Sequence, residues 1–141
     1  MTLRDEIHAN PACAVALAAR DCHELARIMS VGRTRTVKIP IADIQDLMHA
    51  TGAWWDIAAV ADNPAHVAQK AARAVVDVAS ARYDHIDTKI PMVGQMLGAL
   101  VTGGVISQAI FDQIMAMAVA PDPLTAQDVA AALYNDDGSD K

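Results

Sequence analysis

Apolar residues recur at helical spacing along most of the chain and are densest between Thr88 and Ala120. In the first half of that stretch Val93, Met96, Leu97, Leu100 and Val101 fall at the i, i+3, i+4 positions that line one side of a helix. Pro91 suits a first turn, where its missing N–H would have no helical acceptor. Gly103 and Gly104 can take positive φ and turn the chain. Ser107 then caps a second helix in which Ile110, Ile114 and Ala118 form a stripe widened by Phe111 and Met115. The pattern predicts an antiparallel helical hairpin with the rest of the chain packed around it.

Before the hairpin, Thr2 with Asp5 and Glu6 marks a helix start, and Pro11 opens a run with Cys13, Leu17, Ala14 and Ala18 facing inward. Asp21 caps a short helix carrying Leu25, Ile28 and Met29. These pieces predict a helical cap over one end of the core. From Thr34 to Ile41 the side chains alternate and β-branched residues dominate, which predicts an extended arm of about residues 33–41, or one edge strand. Helices follow over about 42–50, with Ile44, Leu47 and Met48 inward, and over 54–60. Asn63-Pro64 reads as the N-cap and first turn of the longest helix, about 65–82, with Val67, Ala71, Ala74, Val75 and Val78 on its apolar stripe. After the hairpin, Pro121-Asp122-Pro123 forms a stiff connector, and Thr125 with Asp128 forms a capping box for a last helix through Tyr134.

The predicted fold is therefore all-α: one compact multi-helix domain over residues 1–135, with a short extended arm and a flexible acidic tail over 136–141. Composition narrows it further. Hydrophobic residues make up 53% of the 141 positions but aromatics only 4%, so the core must be assembled from aliphatic side chains, alanine and methionine. No arm of the hairpin reaches the roughly 17–25 apolar residues of a membrane span, and Gln95, Gln108, Asp112 and Gln113 interrupt the pair. Arg4, Asp5, Glu6 and His8 fall where a secretory leader would be apolar, so the expected location is the cytoplasm in which the chain is made. Cys13 and Cys22 lack the density of a disulfide scaffold and are expected to be reduced. The formal charge is −6, and residues 83–141 carry eight aspartates against two lysines, which argues against nucleic-acid wrapping.

Nothing in the sequence identifies a reaction. His8, Cys13, Cys22 and His23 match no usual zinc-ligand spacing, and Asn135 to Gly138 cannot be placed as a calcium loop. Asp84, His85 and Asp87 could form an acid–base group, but no nucleophile or oxyanion site accompanies them, and a solvated connector accounts for them. There is no serine elbow, phosphate-cradling loop or dinucleotide fingerprint. Neither catalytic residues, cofactor nor metal is expected.

Interaction features are better marked. Arg33 and Arg35 lie on the same side of the extended arm, which also carries Val37 and Ile39. Such an arm could contact a phosphate or nucleic acid, but a solvated arm or a salt-bridged contact to an acidic partner accounts for it better. Trp54 and Trp55 diverge by about 100° on a helix, so one belongs to the core and the other marks an interface. Gly94 and Gly98, with Thr102 beyond, give one helix face small side chains suited to a close helix contact, inside the monomer or with a second copy. An overpacking Gly98→Leu change is expected to break that contact.

Leu3 to Ile7, Asn10 to Cys13, Ser30 to Thr34, Pro121 to Pro123 and Ala131 to Gly138 together resemble a group of small tailed-bacteriophage proteins encoded among late genes. The resemblance covers both ends of the chain; the middle, with its two tryptophans, departs from it. It brings no catalytic residues. It implies a non-enzymatic virion component of the tail, tail tip or connector, assembling with other virion proteins or with itself as a homo-oligomer, without membrane or nucleic acid. The host cytoplasm and then the virion would be its locations. Two other roles remain open at the level of sequence: an accessory protein that inhibits a host factor through its acidic half, and a small lysis-related hydrolase using the Asp84 cluster.

Overall fold

The computed structural model describes residues 1–81 and 83–141. Its elements in chain order are α1 (Leu3–Ala9), a 3-10 turn (Pro11–Cys13), α2 (Ala14–Ala18), α3 (Cys22–Ser30), β1 (Thr34–Thr36), β2 (Ile39–Pro40), α4 (Ile41–Ala50), α5 (Ala53–Ala61), α6 (Gln69–Ser80), β3 (His85–Ile86), α7 (Pro91–Thr102), α8 (Gln108–Met117), β4 (Val119–Pro121) and α9 (Ala126–Leu133). The fold is mostly helical, as the periodicity predicts. None of the described helices is long and apolar enough to cross a membrane.

The chain divides into two compact units, Met1–Arg35 with Pro121–Lys141, and Thr36–Ala120. The first unit has its own core of Ile7, Cys13, Ala16, Leu25, Ala26, Val129 and Leu133, which the N-terminal helices form with α9. Its helix ends are held by side chains. The Thr2 hydroxyl accepts from the Asp5 N–H while Asp5 accepts back from the Thr2 N–H, and Thr125 and Asp128 repeat this capping box on α9. Asn10 accepts from the Ala12 N–H, and Asp21 from the Glu24 N–H. The Ser30 hydroxyl donates to the Ala26 carbonyl at 2.6 Å and accepts from the Leu124 N–H at 2.9 Å, which ties α3 to the segment before α9.

The last residues also belong to this unit. The Lys141 N–H donates to the Leu133 carbonyl, its ammonium donates to the Ala131 carbonyl, and Tyr134 pairs with Asp140 in an antiparallel bridge. Residues 136–141 are thus hydrogen-bonded back onto α9, where the sequence predicts a frayed tail.

The second unit is built around Ile39, Ile44, Met48, Ile57, Ala72, Leu97, Leu100 and Ile114. The predicted hairpin is present as α7 and α8, but the most extensive helix contact is α5 with α6, and α6 in turn carries α7. Alanines make this close approach possible: Ala53, Ala61, Ala68 and Ala72 are all buried. The helix expected over 65–82 starts later. Asn63 accepts from the Ala65 N–H and His66 from the Ala68 N–H, so both side chains stabilise a turn, and α6 begins only at Gln69. Val67 therefore sits in the turn and is 89% exposed instead of lining a helix stripe. The expected end at Arg82 lies outside the described residues.

The extended arm is not free. β1 pairs with β4, and β2 pairs antiparallel with β3, Ile39 opposite Ile86 and Pro40 opposite His85. Pro40 is accommodated because this ribbon is two residues long and needs no donor from it.

Candidate functional site

In the second unit, α4 ends with His49 facing the start of α5, and the positive φ of Gly52 (+77°) makes the turn between them. His49 Nδ1–H donates to the Gln45 carbonyl at 2.7 Å, which fixes the ring. The ring stacks on Trp54, centroids 5.4 Å and planes 25° apart, and meets Trp55 edge-on at 6.4 Å. The two tryptophans then diverge as helix geometry requires. Trp54 packs against the core, while Trp55 is 69% exposed. Trp54 also walls an apolar cavity of about 30 Å³, lined by Ile39, Ile44, Met48, Val75, Val93 and Met96 among others. That volume is on the scale of one methyl group or water, and the walls offer water almost no partner.

The remaining predicted interface residues are not gathered at this locus. Arg33 pairs with Glu6 at 3.4 Å in the first unit. Arg35 is exposed in β1, and Val37 is half-buried with its N–H donating to the Ala118 carbonyl at 2.7 Å. Ile39 is fully buried in the second core, so it is a packing residue and not an interface residue: its register opposite Ile86 turns its side chain inward. A Cβ added at Gly94 or Gly98 would meet nothing within 4 Å. The structure holds no close intramolecular contact at either glycine, so overpacking by Gly98→Leu has a basis only in a contact with a second copy. The tight glycine is Gly103, where a Cβ would lie 2.7 Å from the Ala68 Cβ and 3.2 Å from the Ala99 carbonyl oxygen.

The chemical clusters weighed in the sequence remain dispersed. Asp87 accepts from the Lys89 N–H at 2.9 Å, the Asp84 carbonyl accepts from the Ile41 N–H, and His85 is exposed. Among the described residues no hydrogen bond joins His85 to either aspartate, and no three His, Cys, Asp or Glu side chains are placed to share a metal ion. Cys13 and Cys22 are free thiols; burial pushes the Cys13 thiol pKa up, which keeps it protonated and unreactive. No protein-family model, curated protein or solved structure matches this chain.

Sequence reasoning missed a second locus, in the first unit. Arg4, His8 and Arg20 line a pocket of about 320 Å³ with Tyr134 and Asp140. The only sequence signal was the i, i+4 spacing of Arg4 and His8 on α1. Arg20 joins them across more than a hundred residues of chain from Tyr134 and Asp140, and no local pattern encodes that.

Proposed function

We propose that this chain is a non-enzymatic bacteriophage structural protein, a tail or tail-tip/connector component that acts through protein–protein assembly. The observation that carries the reading is where the phage-like segments fall. Leu3 to Ile7, Asn10 to Cys13, Ser30 to Thr34 and Pro121 to Gly138 are distant in sequence, yet all lie in the first compact unit. The second unit, which departs from that pattern, holds the features suited to a specific partner. Trp55 is an exposed aromatic of the type enriched at interface centres. The outer face of α7, with Gly94, Gln95, Gly98 and Met92, carries no charge, so another chain can approach it without desolvating an ion.

The reading that makes this an inhibitor of a host factor needs a free acidic surface in the C-terminal half. Asp128, Asp137 and Asp140 are engaged by Thr125, Ser139 and Arg20, which leaves the exposed Asp84, Asp122 and Asp136 as the acidic surface available to that reading. Quantitative mass spectrometry of density-purified particles of the encoding phage separates the two. Presence at a fixed low stoichiometry relative to the major capsid and tail-tube proteins is expected. Absence from the particles would overturn the structural role and leave the host-binding one.

A further inference from the structure

We propose that the pocket between α1, α2 and the end of α9 binds a small oxyanion, and that Asp140 is the internal occupant this ligand displaces from Arg20. The inference does not depend on a virion role. Arg4 and His8 lie one turn apart on the same face of α1 and line the pocket with Arg20. Leu17, Ala18 and Leu133 supply the apolar part of its wall. The chain carries a formal charge of −6, so a pocket with two guanidiniums and an imidazole against the single carboxylate of Asp140 runs counter to its overall charge.

Arg20 closes α2: with a φ of +53° it is the left-handed residue just past the helix end, where its N–H donates to the Leu17 carbonyl and the Asp21 N–H donates to the Ala16 carbonyl. Here Nη1–H donates to the Gly138 carbonyl at 3.1 Å, Nη2–H donates to the Asp140 carboxylate at 2.9 Å, and the guanidinium lies 5.0 Å from the Tyr134 ring centroid. The Gly138 and Tyr134 contacts aim the guanidinium, and the Nη2–H contact already holds an oxyanion.

Arg4, by contrast, has no ion pair among the described residues. The neighbouring Asp5 carboxylate is turned to Thr2, where it completes the capping box. Glu6 is taken by Arg33, and the Lys141 ammonium by the Ala131 carbonyl. The pocket therefore presents one guanidinium on α1 that makes no ion pair, with the Asp5 carboxylate acting on it only at longer range, and one bound to an exchangeable, 73% exposed carboxylate. Guanidinium groups recognise carboxylate and phosphate through paired N–H donors. A ligand bearing either group would bridge Arg4 and Arg20, with His8 as a further hydrogen-bonding partner, and would exchange for Asp140 at Nη2 while the Gly138 contact stays.

The test titrates the full chain with inorganic phosphate and, separately, with benzoate at low ionic strength, reading heat and the arginine Nε–H resonances. Saturable binding of at least one probe is expected, with the Arg4 and Arg20 resonances moving together. Phosphate alone would assign the site to phosphate groups, benzoate alone to carboxylates, and both to oxyanions generally. Arg4→Gln should weaken binding about tenfold. Asp140→Asn should tighten it about twofold to fivefold, the range an exposed ion pair allows. Asp136→Asn makes the same charge change outside the pocket and should leave affinity unmoved. Binding of neither probe to wild type or Asp140→Asn, or binding indifferent to Arg4→Gln, would overturn the site. Equal tightening by Asp140→Asn and Asp136→Asn would overturn the displacement.

Discussion

The two units are stabilised in different ways. In the first, the helices are short and four element starts are capped by a side chain: Thr2, Asn10, Asp21 and Thr125. In the second, the helices run nine to twelve residues, and α4, α5, α6 and α7 all start without a side-chain cap; only Ser107 on α8 provides one. The physical reason is nucleation. A helix of two turns makes few internal hydrogen bonds for the residues it fixes, so satisfying its orphan N–H groups decides whether it forms. A longer helix with a buried stripe can leave those groups to water.

Connectivity adds a second asymmetry. The second unit is one continuous segment, while the first is assembled from two segments separated by it. Unfolding the second unit turns residues 36–120 into a loop that the first must close, at an entropic cost. Unfolding the first asks nothing comparable of the second. Leu25 and Ile57 are both fully buried, one in each core, and replacing either with alanine should cost about 2–5 kcal/mol. Ile57→Ala should lower hydrogen-exchange protection in both units, whereas Leu25→Ala should lower it in residues 1–35 and 121–141 alone. Equal loss everywhere from Leu25→Ala would show that the two cores unfold as one.

Glycines sharpen the contrast within the second unit. Gly103 has an ordinary φ of −77°, so its constraint is space alone, and a Cβ there would strike the anchored Cβ of Ala68. Gly103→Ala should destabilise by about 1–3 kcal/mol through overpacking. Gly98→Ala, in a helix interior with open space around it, should stabilise by about 0.5–1 kcal/mol through helix propensity. Melting temperatures moving in opposite directions would support this. A destabilising Gly98→Ala would mean that a helix packs on that face in solution.

The same division decides what the sequence made legible. The Thr125 capping box, the helix start at Thr2, the Asp21 and Ser107 caps and the Pro91 start were read correctly, because each is a signal confined to three or four residues. The start of α6 was misread, because Asn63-Pro64 carries the same local chemistry whether it begins a helix or a turn, and packing on α5 settles which. Ile39 and Gly103 failed for the same reason: one is pulled inward by pairing with Ile86, the other is closed by Ala68. The pocket around Arg20 depends on contacts between the two ends of the chain and had no local signature beyond Arg4 and His8.

Capping by carboxylates also gives the first unit its own response to acid, the smallest of these effects. Backbone N–H and hydroxyl donation from Thr2 holds the Asp5 pKa below the usual carboxylate range, and Thr125 does the same for Asp128. The Ser139 hydroxyl and N–H lower Asp137, and the Arg27 guanidinium lowers Glu24. All four lie in the first unit. A carboxylate with a depressed folded-state pKa contributes stability that is complete above its unfolded value, about 3.9 for Asp and 4.3 for Glu, and that is lost as pH falls through the folded value. As pH falls below the ordinary carboxylate range these four groups should therefore withdraw support from the first unit. Both tryptophans belong to the second unit and Tyr134 to the first, so the two can be followed separately. Acid titration should release amide protection in α1 and α9 before Trp54 loses its near-ultraviolet dichroism. Asp128→Asn keeps a side chain that can cap weakly but removes the titrating group, so it should flatten the pH dependence of α9 protection while leaving that of α1. Loss of the tryptophan signal before α1 and α9 open would show that the second unit carries the acid-labile contacts and that the caps do not set the order.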